Sequence, residues 1–117
     1  MQTIPTRVHG MLDYVVAIFL IAMPWVFGFA DHAEARWVPV ALGIATIIYS
    51  LFTDYEYGLI RRIPFKTHLV LDTINGVVLA ASPWLFGFSE YIYLPHLLVG
   101  LMELGVVLLS RKRGFSF

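Results

Sequence analysis

Four apolar stretches separated by polar ones run along the chain, at about Val8–Phe29, Trp37–Phe52, Thr67–Phe88 and Tyr93–Ser110. Each reads as a helix. A membrane-crossing helix takes about 20 residues, with a range of roughly 17–25. By that measure the first and third are long enough, the fourth is adequate and the second is short. Short linkers, Ala30–Arg36 and Ser89–Ile92, join neighbours, and a longer polar segment, Thr53–Lys66, divides the chain in two.

The pattern is written twice. Residues 4–29 and 63–88 agree at 12 of 26 positions at a constant offset of 59, with Ile4/Ile63, Pro5/Pro64, His9/His68, Asp13/Asp72, Pro24/Pro83 and Trp25/Trp84 among the matches. A fixed internal period sets the architecture. One domain is expected, with repeat one over about 4–52, repeat two over about 63–110 and a connector over 53–66. Arg7 followed by an apolar run has the look of a cleaved signal peptide. Its recurrence inside the chain argues against that reading, because no signal peptidase could use the second copy.

Composition changes the expected solvent. Of 117 residues, 59% are hydrophobic and 14% charged, and the mean hydropathy is +0.78. Soluble domains average about 45–50% apolar and about 25% charged. A small soluble domain, with its poor surface-to-volume ratio, could not bury so much apolar surface. Lipid is the expected solvent. The net charge is zero and cysteine is absent. The first argues against a nucleic-acid partner, which needs a basic surface. The second excludes disulfides, thiolate catalysis and cysteine-held metals.

Arg7, Arg61, Arg62, Lys66, Arg111, Lys112 and Arg113 fall at the N-terminus, the connector or the C-terminus, and only Arg36 falls in the other two loops. The positive-inside rule then puts both termini in the cytoplasm. The expected fold is an all-α membrane protein, four transmembrane helices as two parallel-topology helix-hairpin repeats. Their pseudo-twofold axis would run along the membrane normal.

All six prolines form repeat-related pairs. Pro5 and Pro64 sit at the start of spans one and three, and Pro39 and Pro95 in the first turn of spans two and four, where a missing N–H costs little. Pro24 and Pro83 fall late inside spans, in a Pro-Trp-x-Phe-Gly-Phe segment: Pro24, Trp25, Phe27 and Gly28 in one copy, Pro83, Trp84, Phe86 and Gly87 in the other. Here Ser82-Pro83-Trp84 resembles the motif of the SPW-repeat family of prokaryotic membrane proteins. Met23-Pro24-Trp25 departs from it at the serine. The resemblance covers about residues 4–108. It implies a four-span protein of the prokaryotic cytoplasmic (inner) membrane and carries no established activity. Locally, Pro83 frees the Leu79 carbonyl and kinks the helix, and the Ser82 hydroxyl can bond back to it. Met23 cannot. The tryptophans and phenylalanines suit a membrane interface, and Gly28 and Gly87 let the chain turn.

The candidate chemistry lies at the other end of these spans. His9/Asp13 and His68/Asp72 are each four apart, on one helix face. Ionisable groups at membrane depth are costly and turn into the bundle. Counting at about 1.5 Å per residue puts Asn75, Glu103 and Thr46 near the same level. Gly43-x-x-Thr46 aligns with Gly100-x-x-Glu103 at an offset of 57, and glycine there permits close helix approach. One buried polar layer is expected: His9, Asp13, Thr46, His68, Asp72, Asn75 and Glu103. It can lock the repeats together, with each histidine held by its carboxylate. It can hold a metal or haem iron. It can relay protons, with Glu103 and the aspartates as relay groups. His32 is expected to be solvated beside Asp31 and Glu34, and His96 to face the interface. Arg111–Arg113 reads as a topology anchor, and the 114–117 tail as a candidate interface contact.

No nucleophile–base pair has a recognisable setting and no phosphate loop exists, so no enzyme activity and no cofactor are expected. The leading expectation is a small structural or accessory membrane protein, partnered by the bilayer and by copies of itself or a larger complex. The alternative is a proton- or ion-translocating oligomer.

Overall fold

The computed structural model describes residues 4–110. The expectations for Arg111–Arg113 and the 114–117 tail lie outside them. Four helices make up the described chain: α1 Thr6–Val26, α2 Ala33–Leu51, α3 Phe65–Leu85 and α4 Leu94–Leu109. Pro5 and Pro64 are the N-cap residues of α1 and α3, in extended conformation. Their fixed φ and missing N–H suit a helix start.

The second helix is longer than its hydropathy suggests. It begins at Ala33, not Trp37, because His32 caps it by accepting from the Ala35 N–H. Pro39 therefore lies inside α2, not in its first turn, and cannot donate to the Ala35 carbonyl. His96 from α4 supplies the donor instead, with Nε2 3.0 Å from the Ala35 oxygen. His96 is fully buried, against the expectation that it faces an interface, and it packs on Phe29 and Phe88. His32 also does more than meet water, since it stacks on Tyr91 of the other repeat. We expect His96→Ala to cost about 2 kcal/mol, the scale of an orphaned buried carbonyl plus lost packing. In a Pro39→Ala background the restored N–H serves Ala35, so the same change should cost about 1 kcal/mol less. Thermal unfolding of the four variants measures this, and equal costs in both backgrounds would refute the pairing.

The Pro-Trp-x-Phe-Gly-Phe segment ends α1 and α3 in the same way. Gly28 and Gly87 have φ of +74° and +77°. The Phe29 and Phe88 N–H groups bond back to the Pro24 and Pro83 carbonyls at 2.8 and 2.7 Å. This is the six-residue back-bond of a left-handed glycine cap. Phe29 and Phe88 are buried, while Trp25, Phe27, Trp84 and Phe86 point outward. Ser82 Oγ donates to the Leu79 carbonyl at 2.7 Å, as its place before Pro83 predicts.

Each hairpin packs through a glycine. A Cβ on Gly43 would lie 2.7 Å from the Ala17 carbonyl oxygen, and one on Gly100 would lie 2.6 Å from the Ala80 nitrogen and 2.7 Å from the Gly76 oxygen. Backbone contact is close within α1–α2 and α3–α4 and lighter between α2 and α3. The hairpins meet at one end through matching bridges, Thr53 with Ile63 and Ser110 with Ile4. Ile63 N–H bonds the Phe52 carbonyl and Ile4 N–H bonds the Leu109 carbonyl, at 2.7 and 2.9 Å. The two repeats are thus related by a pseudo-twofold axis, with Ile4, Ser110 and the connector at the same end. Among the described residues, Thr6–Val26 is the one helix long and apolar enough to cross a membrane, and Leu94–Leu109 is apolar but shorter. Helix α2 falls below that mark chiefly because it includes Glu34 and Arg36, and α3 because it carries His68, Asp72 and Asn75.

Candidate functional site

The seven residues expected in one polar layer are all buried, and the structure sorts them into three groups. His9, Asp13, His68 and Asp72 form a quartet at the centre. Thr46 and Asn75 form a pair beside it. Glu103 stands apart on the opposite side.

Helical spacing brings each histidine one turn from its own aspartate, but the tertiary structure exchanges partners. His9 Nε2 is 2.8 Å from Asp72 and 3.2 Å from Asp13. His68 Nε2 is 2.8 Å from Asp13 and 3.1 Å from Asp72. The shorter contact of each histidine is to the other repeat. The four groups therefore join α1 to α3, helices with little backbone contact of their own.

A further ring of residues orients the quartet. His9 Nδ1 is 2.6 Å from Ser110 Oγ, and His68 Nδ1 is 2.7 Å from Thr53 Oγ1. Tyr49 donates to Asp72 Oδ1 at 2.5 Å and Tyr55 to Asp13 Oδ2 at 2.8 Å. Sequence reasoning missed all four. Thr53 and Ser110 carried a signal, because they stand at the same offset of 57 as Gly43/Gly100 and Thr46/Glu103. Tyr55 carried none, since it lies in the connector and folds back under the quartet. Burial, and then the neighbouring Asp13 charge, pushes the Tyr55 phenol above its usual range, so it remains a donor at neutral pH.

Repeat symmetry fails on one side, and the chain leaves a cavity there. On the α2–α3 side Asn75 Nδ2 donates to Thr46 Oγ1 at 3.0 Å and to the Leu42 carbonyl at 3.2 Å. The Tyr49 hydroxyl lies beside them, 3.5 Å from Thr46 Oγ1 and bonded to Asp72. The corresponding positions on the α4–α1 side are Val16, Glu103 and Val106. Valines there are shorter and make no hydrogen bonds. The resulting cavity, about 20 Å³, touches Asp13, Asp72 and Glu103 and is large enough for one water. Glu103 is 8% exposed, and its Oε1 is buried without a hydrogen-bond partner.

The model of the SPW repeat domain matches residues 7–110, which is most of the chain. The chain belongs to the SPW repeat family. No curated protein and no solved structure matches it. In this SPW repeat chain the Ser-Pro-Trp signature and the polar quartet occupy opposite ends of α3. The signature shapes a helix end, through Ser82 and Gly87, and the quartet holds the titratable chemistry. The two histidine rings lie edge to face with centroids 5.4 Å apart, and the aspartates fill the place between their Nε2 atoms. Two axial ligands to one haem iron would need a flat slot there.

Proposed function

We propose that this SPW repeat chain is a small integral membrane protein of four spans with a structural or accessory role in a membrane assembly. The observation that carries this reading is the inverted distribution of polarity. Large apolar side chains are exposed on every helix, including Val15 and Ile18 on α1, Ile44 and Ile48 on α2, Ile74 and Val77 on α3, and Leu98, Leu101 and Leu108 on α4. The most buried positions include His9, His68, Thr46, Asn75 and the two aspartates. An apolar surface of that extent marks contact with lipid or protein. A polar interior that satisfies its own groups is what a low-dielectric surrounding demands. At 21 residues and about 1.5 Å per residue, α1 and α3 reach about 30 Å, the thickness of a bilayer core. Arg7, Arg61, Arg62 and Lys66 gather at the quartet end, which this reading places at the cytoplasmic face of a prokaryotic inner membrane.

The role follows from the quartet. It ties α1 to α3 across the pseudo-twofold axis and gives two short hairpins one fixed arrangement. The apolar exterior is then free for copies of the chain or a larger complex. Reporter fusions test the topology: fusions at residue 110 and within 54–62 should report the cytoplasm, and fusions at residues 31 and 90 the opposite side. A non-cytoplasmic signal at residue 110 would overturn this topology.

The orphaned Glu103 oxygen beside the cavity favours one second reading, a proton- or ion-translocating oligomer with Glu103 as relay group. Glu103→Gln separates the two. A protonated acid and an amide make similar hydrogen bonds, so the structural reading expects stability within about 0.5 kcal/mol of the parent and no proton flux from either protein. Flux into reconstituted vesicles that vanishes in Glu103→Gln would replace the structural reading with the relay.

A further inference from the structure

We infer that the His9–Asp13–His68–Asp72 quartet is a binding site for one divalent transition-metal ion of the zinc class. The argument begins with hydrogen positions. The Ser110 hydroxyl donates its one proton to the Val106 carbonyl, and the Thr53 hydroxyl donates its proton to the Tyr49 carbonyl. Both oxygens can then only accept from the imidazoles beside them. That fixes the proton of His9 and of His68 on Nδ1 and turns both Nε2 atoms toward the carboxylates.

A neutral imidazole protonated on Nδ1 presents a lone pair at Nε2. Two such lone pairs, 2.8 Å from carboxylate oxygens, repel unless something positive lies between. Two extra protons would serve if each Nε2–H aimed at an oxygen. His9 Nε2 does align with Asp72 Oδ2. His68 Nε2 does not. It is fully buried, near both aspartates, and aligned as a hydrogen bond with neither.

The donor set suits a cation at the centre of the quartet. Each of the four residues offers one ligand atom, and all these atoms lie within 4.8 Å of one another. In a tetrahedron with metal–ligand bonds of about 2.0–2.1 Å, ligand atoms stand about 3.3 Å apart. The His–Asp contacts of 2.8–3.2 Å need to open by up to about 0.5 Å, and the ligand atoms farthest apart, at up to 4.8 Å, need to close by about 1.5 Å. Two aspartates balance a dication, so the buried site would be neutral. Two imidazole nitrogens disfavour calcium and magnesium, and the absence of sulfur disfavours copper(I). The surroundings also match a metal site, where each ligating histidine donates its other N–H and the carboxylates are hydrogen-bonded in turn. Here Ser110 and Thr53 accept from the imidazoles, and Tyr49 and Tyr55 donate to the aspartates. The inference adds a cation to the clamp proposed above but does not depend on the number of spans.

The test uses the full chain purified in mild detergent, stripped with a chelator and titrated with Zn(II) and then Co(II). We expect one equivalent bound per chain, a Co(II) spectrum with the intense visible bands of tetrahedral coordination, and a higher unfolding temperature with Zn(II). Asp72→Asn and His9→Gln remove ligands and should weaken binding by more than the roughly 10–100-fold that loss of an outer partner causes. Thr53→Val keeps all four ligands and should weaken it by about 10-fold. His32→Gln, at the other end of the molecule, should leave binding unchanged. Failure of the stripped, helical parent to bind one equivalent overturns the inference, as does binding that survives Asp72→Asn and His9→Gln. If those variants do not fold, the Co(II) spectrum of the parent decides, and weak octahedral bands overturn it. The topology experiment is independent of this result, so the membrane reading and the metal site can fail separately.

Discussion

Replacing Asp72 by alanine should destabilise the protein by about 2–4 kcal/mol, the scale for breaking a buried ionic pair and stranding its partners. Asp72 accepts from Tyr49, contacts His9 at 2.8 Å and His68 at 3.1 Å, and is 4% exposed. Its removal strands three polar groups at once. Asp13→Ala should follow the same direction with a smaller loss. Its third partner, Tyr55, comes from the connector and can turn toward water, whereas Tyr49 sits within a helix. Thermal unfolding in detergent, in chelator to keep metal out of the comparison, gives both numbers. Wild-type stability in both variants would mean that the quartet is hydrated and clamps nothing.

Gly100→Val should cost about 3 kcal/mol, the upper range for overpacking a tight contact. The new Cβ would fall 2.6–2.7 Å from backbone atoms of Ala80 and Gly76, which cannot move aside as a flexible side chain can. The α3–α4 hairpin would have to spread, and α4 carries Ser110, the acceptor for His9. Gly105→Ala, five residues further along the same helix, meets nothing within 4 Å. It should stabilise by about 0.5–1 kcal/mol through helix propensity. Unfolding midpoints of the two variants should therefore move in opposite directions. A neutral Gly100→Val would show that the hairpin does not pack through this contact.

The repeat, the four helices, the caps at Gly28 and Gly87, the Ser82 back-bond and the burial of the seven polar residues are legible in the sequence. These are local or periodic properties. A glycine after Phe27 stops a helix wherever the helix lies, a serine beside a proline reaches the carbonyl that the proline frees, and a residue's depth follows from its count along a helix axis.

Which group meets which depends on packing between the helices. Spacing puts His9 beside Asp13, yet its closer contact is Asp72, because rotation about each helix axis is set by packing at Gly43 and Gly100. The start of α2 depended on the His32 cap. The fate of the Ala35 carbonyl depended on His96, 61 positions away. The cavity beside Glu103 lies where Val16 and Val106 stand at the repeat positions of Asn75 and Tyr49. Tyr55, invisible as a site residue in the connector, reaches Asp13 only because the Thr53–Ile63 bridge folds that segment back. A one-dimensional pattern fixes the depth and type of each group. Partners across helices are chosen by close packing, which acts in three dimensions and leaves no period in the sequence.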